Sequence, residues 1–114
     1  MKKTLTVLIA AGALLGAAGC SAPLDTTAET CARVQGVGAG PTSSQDKAGM
    51  IRLANRLRPV EASAAVELQA PLHSIIEFLD ESAKESPDSA KLQEMQPAYT
   101  SAGETLSGAC VSGQ

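Results

Sequence analysis

The sequence predicts an all-α protein, a small up-and-down bundle of about four helices behind an apolar amino-terminal segment. Three observations predict it. Apolar residues recur at three- and four-residue spacing over long stretches, most regularly through Leu92, Met95, Tyr99, Ala102, Leu106 and Ala109. No stretch alternates apolar and polar residues with the period of two that marks a half-buried strand. Helix-start patterns precede the periodic stretches: Thr26-x-x-Glu29, Thr42-x-x-Gln45 and Ser86-Pro87-Asp88. A length of 114 residues bounds the chain to a single small domain.

At the amino terminus, Met1-Lys2-Lys3 is a short positive region, and Leu5 to Ala18 is an uncharged apolar run leading to Gly19 and Cys20. This is the form of a secretory signal peptide. As a helix, the run through Gly19 would rise about 22 Å, short of the ~30 Å hydrocarbon thickness of a bilayer. A cleaved export segment is therefore favoured over a permanent span.

The run Gly16-Ala17-Ala18-Gly19-Cys20 resembles the lipobox of bacterial lipoproteins, with Ala17 where Leu is commonest. The resemblance implies that the Cys20 thiol is diacylglycerylated, that the chain is cut before it, and that the new amine receives a further acyl chain such as palmitate. Two or three chains on one residue make a stable membrane anchor, because each buried methylene contributes ~0.8 kcal/mol. An ordinary signal peptide cut near Ala22 and an uncleaved anchor are the alternatives. The expected plan is a lipoprotein signal peptide over 1–19, a lipidated tether over 20–25 and a helical domain over 26–114. The expected location is the extracytoplasmic face of the cell membrane. With one Cys near each end of the helical part, the whole chain is similar to small helical lipoproteins of Gram-positive bacteria. That resemblance brings no substrate, cofactor or catalytic residue with it.

Three cysteines in an exported chain demand an explanation, and lipidation of Cys20 supplies one. Cys31 and Cys110 are then left to form one intramolecular disulfide in an oxidising compartment, with intermolecular pairing as the alternative. A redox or zinc site is disfavoured, because there is no C-x-x-C and His73 is the sole histidine. Closing a loop of about eighty residues stabilises a fold by ~4 to 5 kcal/mol in the chain-entropy model. The core needs such help: Leu, Ile, Val and Phe supply 17 of the 95 residues from Cys20 onward, below the ~20 % at which disorder becomes a concern. Only an even number of antiparallel helices brings Cys31 and Cys110 to the same side, which points to four.

The first helix is expected to open at Thr26 and end near Gly36. The following Gly36-Val37-Gly38-Ala39-Gly40-Pro41 reads as a linker, since it lacks the Gly-Lys-Ser/Thr of a phosphate loop. A second helix is expected from about Ser44 to Arg58. Pro59 suits the first turn of a third, whose apolar face comprises Val60, Ala64, Leu68, Leu72, Ile75, Ile76, Leu79 and Ala83. Pro71 is expected to kink that helix near Glu67 or to split it. The fourth is expected to start at Ser86 with Pro87 in its first turn, and Pro97 to give a second kink.

After Gly19 there remain seven basic and twelve acidic residues, a net charge of −5, which argues against nucleic acid as a partner. Arg52, Arg56 and Arg58 form a small basic cluster. Pairing with acids of the next helix is the favoured reading, and contact with cell-wall polyanions or headgroups is the other. Glu77, Glu81 and Glu85, four apart, read as a solvated face. His73 reads as a surface or boundary residue, and Phe78 as a core-edge residue or, alternatively, part of an exposed apolar patch. Neither G-x-S-x-G nor S-x-x-K is present, so acyl transfer lacks a nucleophile signal. The expected function is therefore a non-enzymatic binding or structural component of the cell envelope, without cofactor or metal. Its partners would be the membrane, through Cys20, and an envelope protein or polyanion. The alternative is a carrier that holds a lipid or hydrophobic peptide between its helices, lined by Leu68, Leu72, Ile76 and Met95. A filled interior there favours the structural role, and an apolar cavity of at least ~300 Å³ favours the carrier.

Overall fold

The structure is a computed structural model that describes residues 22–112. The apolar leader, the Gly16–Cys20 run and the lipidation site at Cys20 lie outside the described residues. These contain four helices and no strand: α1 (Thr27–Gly36), α2 (Lys47–Ser63), α3 (Val66–Ser82) and α4 (Ser89–Ser112). Helix α1 packs on α2 and α4, and α3 packs on the same two helices from the other side. The bundle is thus four-membered, with α1 and α3 on opposite corners.

Helix α1 starts as its sequence predicts. The N–H of Glu29 donates to the Thr26 hydroxyl oxygen at 3.1 Å, and the N–H of Thr26 donates to the Glu29 carboxylate at 3.0 Å, the two halves of a capping box. Helix α2 starts later than expected. Its cap is Asp46, whose carboxylate accepts from the N–H groups of Gly49 and Thr42 at 3.0 Å each. Those bonds hold the Asp46 carboxyl below its ordinary range, the Thr42 bond first. A carboxylate accepting two backbone donors is a stronger cap than the Thr42 hydroxyl. Gly49 belongs to this arrangement, since a Cβ there would come within 2.2 Å of the Asp46 carboxylate.

The main departure lies between α2 and α3. Pro59 remains inside α2, and the chain instead breaks at Ala64, which is extended, and Ala65, which is likewise non-helical. The reason is tertiary. The N–H of Ala65 donates to the hydroxyl of Thr30 on α1 at 3.0 Å, and that hydroxyl donates to the carbonyl of Thr26 at 2.9 Å. Thr30, Ala64 and Ala65 are all buried, so two small residues let the α2–α3 corner close against α1. Helix α3 then runs through Pro71 without interruption. The expected third helix from Pro59 is thus divided five residues after that proline, and the total remains four. Helix α4 begins at Ser89, with Asp88 accepting from the N–H groups of Ala90 and Lys91 at 3.0 and 3.2 Å. Asp88, not Ser86, is its cap.

The core comprises Cys31, Met50, Ala54, Leu57, Val60, Ala64, Leu68, Leu72, Ile76 and Leu79. From α4 only Ala102 is fully buried among the described residues, while Leu92, Met95, Tyr99, Leu106 and Ala109 are half-buried. The most regular apolar stripe in the sequence is thus the least completely covered. Cys31 and Cys110 have their Cα atoms 5.3 Å apart in disulfide geometry, closing a separation of 79 residues between α1 and the end of α4.

Candidate functional site

The incomplete cover of α4 produces the main surface feature. Helix α1 has ten residues, whereas α2 and α3 have seventeen each. It therefore lines only the end of the bundle that holds the α2–α3 corner. At the other end its place is taken by the connection 37–46. Within that connection Gly38 adopts φ +89°, a conformation suited to glycine, and Arg56 donates to the Val37 carbonyl at 2.9 Å.

Here Phe78 of α3 stacks on Tyr99 of α4, with ring centroids 4.1 Å apart and planes at 18°. Around the pair lie three neighbouring hollows. One of about 710 Å³ runs along α4 past Phe78, Leu92, Gln93, Gln96 and Pro97. A second, about 580 Å³, is lined by Met50, Phe78, Leu79, Leu92 and Tyr99, with Pro41 to Gln45 across its mouth. A third, about 480 Å³, lies beside Ile75 and Tyr99. Phe78 and Leu92 are shared by the first two, and Tyr99 by the second and third. The lining is largely apolar and rimmed by neutral amides and hydroxyls, with Lys47 and Glu104 as its charged members.

Of the four residues expected to line a carrier cavity, Leu68, Leu72 and Ile76 are brought together in the core and Met95 is not. All three are buried there, with Leu68 and Leu72 fully covered, and none of the three lines the hollows described above. Met95 lines a separate small recess with Glu77, Asp80, Glu81, Lys84 and Lys91. The apolar groove lies nearer the other end, around Phe78, which is half-buried.

Glu81 is the polar residue that sequence reasoning missed. It is 3 % exposed and accepts from Lys84 Nζ at 2.9 Å and from the Asp88 N–H at 3.3 Å, with Lys91 Nζ 3.2 Å away. The hydrogen bond from Lys84 is the largest reason its carboxyl is held down to about 2; burial opposes the shift, and the Asp88 and Lys91 contacts add to it. The same turn is held from the opposite side by Lys47, whose ammonium donates to the carbonyls of Ser82 and Lys84. Its four-residue spacing from Glu77 and Glu85 is the pattern of a solvated stripe, and no local signal marks Glu81 as the buried member.

Two of the three clustered arginines are engaged within the fold, while Arg52 is exposed. Arg58 makes a two-pronged pair with Asp80 of α3 at 2.6 and 3.0 Å, as the favoured reading expects, and Arg56 caps the α1 terminus as described. His73 is exposed, with Nδ1 3.3 Å from Glu61 and Nε2 3.3 Å from Glu77. Its partners are two carboxylates, and no hydroxyl stands beside it among the described bonds. No group of three or more His, Cys, Asp or Glu side chains is arranged to hold a metal ion among the described residues. Nor, among these residues, is any helix long and apolar enough to cross a membrane.

No family model, curated protein or solved structure matches this chain. The functional reading therefore rests on its own residues.

Proposed function

We propose that the protein is a membrane-anchored extracytoplasmic lipoprotein, a non-enzymatic binding or structural component of the cell envelope. The observation that carries this reading is the division of the three cysteines. Cys31 and Cys110 satisfy each other, and Cys20 is left directly after an apolar leader with the small-residue ending Gly16-Ala17-Ala18-Gly19. A disulfide of this kind belongs to an oxidising compartment, in agreement with export. Leu68 and Leu72 are buried in the core and line none of the hollows described above, which favours a structural or surface-binding role over a ligand held between the helices. Metabolic labelling with an alkyne-bearing palmitate tests the anchor. Label enters the wild-type protein and is absent from Cys20→Ser; equal labelling of both overturns the assignment.

A second reading is favoured by the groove beside Phe78 and Tyr99: the domain carries an apolar ligand on its surface, not between its helices. Its volume is in the range of small-molecule sites, ~300 to 1,000 Å³, and its rim is mostly uncharged. Under this reading Tyr99→Ala weakens binding of a neutral apolar dye, Nile red, about tenfold, the scale of losing one well-packed aromatic contact. An unchanged affinity removes the reading.

A further inference from the structure

The end of the bundle where the chain enters carries an unexpected set of exposed aliphatics. Leu24 is 45 % exposed, Val66 70 % and Val111 79 %. They come from three separate segments, yet a chain of contacts ties them to one end. The N–H of Asp25, next to Leu24, donates to the carbonyl of Ser63 at 2.7 Å. Ser63 is the last residue of α2, three before Val66. Thr27 donates to Glu67, adjacent to Val66. Val111 follows Cys110, which is joined to Cys31 in the second turn of α1.

The described chain begins at Ala22, three residues before Asp25. Cys20 precedes Asp25 by five residues, which span at most about 18 Å when fully extended. An acyl-bearing Cys20 therefore cannot hold the bundle far from a bilayer, and the end that faces the lipid is the one displaying Leu24, Val66 and Val111. Scattered exposed aliphatics are normal on a protein surface; three gathered around the attachment point of a lipid tether have an occupant within reach. The charged groups nearby are Asp25, paired with Arg33 at 2.8 Å, together with Glu29 and Glu67. This balance gives no attraction to anionic lipid, so the contact is apolar in character.

We propose that this end of the bundle, through Leu24, Val66 and Val111, seats in the headgroup–acyl boundary of the bilayer that anchors Cys20. The proposal rests on the lipoprotein reading above. It makes the anchor an orienting device: the groove beside Phe78 and Tyr99 is then turned away from the membrane, toward partners in the extracytoplasmic space.

The protein contains no tryptophan, so single indoles report without background. Full-length protein from membranes carries Val66→Trp, Val111→Trp or Ile51→Trp and is reconstituted in phosphatidylcholine vesicles with brominated acyl chains. Ile51 is also exposed, at 48 %, but sits near the start of α2, away from the tether. Contact at the boundary, a burial of about 5–10 Å, quenches V66W and V111W at least about twofold more than I51W. Equal quenching at all three positions in acylated protein overturns the seating and leaves the anchor intact. A mass spectrum without acyl chains overturns the anchor, and the seating with it.

Discussion

The backbone N–H of Asp25 donates to the carbonyl oxygen of Ser63 at 2.7 Å, joining the entering chain to the last turn of α2. The Asp25 carboxylate strengthens this junction by accepting from Arg33 at 2.8 Å and from the Ser63 hydroxyl at 3.2 Å. The segment before α1 is thereby fixed at one end of the bundle.

Asp25→Asn removes the charge from that junction while keeping its shape. Arg33 is the leading cause of the lowered Asp25 carboxyl, so the junction's contribution is present above the ordinary value of 3.8 and is lost as pH falls through the lowered native value. At neutral pH the expected result is faster amide exchange at Asp25, by about tenfold, with global unfolding unchanged. Hydrogen exchange resolved to single residues checks it; unchanged exchange contradicts it.

Acid stability reports on Glu81. Its native carboxyl lies at about 2 against an ordinary 4.5. The unfolded chain therefore binds the proton more readily, and the contribution of Glu81 is full above about pH 4.5 and fades toward pH 2. Glu81→Gln is expected to be less stable than wild type at pH 7, with the two converging near pH 2. Urea unfolding at both pH values measures the difference, and a gap that persists at pH 2 contradicts the assignment.

The disulfide carries a large share of stability. For a separation of 79 residues, the chain-entropy model gives about 4.5 kcal/mol. Replacing Cys31 and Cys110 together by Ala is expected to lower the unfolding free energy by about this amount, or the melting temperature by roughly 20 °C for a domain of this size. A loss below about 1 kcal/mol would show that the helices hold without the bridge.

Core and groove differ in cost. Leu72→Ala empties a fully buried site and is expected to destabilise by ~2 to 5 kcal/mol. Leu92→Ala, at the half-buried groove, is expected to cost under ~1.5 kcal/mol. Chemical denaturation of the two variants checks the ranking, which equal losses would contradict.

What could be read from the sequence follows the range of each signal. The α1 start was legible because Thr26 and Glu29 satisfy one another within a single turn. The Cys31–Cys110 approach followed from the count of cysteines once Cys20 was set apart, and the need to bring the pair together pointed to an even number of helices. The corner at Ala64–Ala65 was not legible, because its donor is satisfied by Thr30, thirty-five residues away. Pro59 and Pro71 marked no boundary, since packing on neighbouring helices outweighs the single backbone bond each removes. Asp46 and Asp88 displaced the expected hydroxyl caps by making stronger, charge-assisted bonds. The groove was hidden for a different reason: it results from the shortness of α1 relative to its neighbours, a mismatch of lengths that no local pattern records.

The most direct test of the account is the intact mass of the protein extracted from its native membrane, taken before and after reduction. The account predicts loss of the first nineteen residues, added acyl mass on Cys20, and a gain of two hydrogen atoms when the Cys31–Cys110 bond is reduced. An unacylated chain, or one with three free thiols and no gain on reduction, would contradict it.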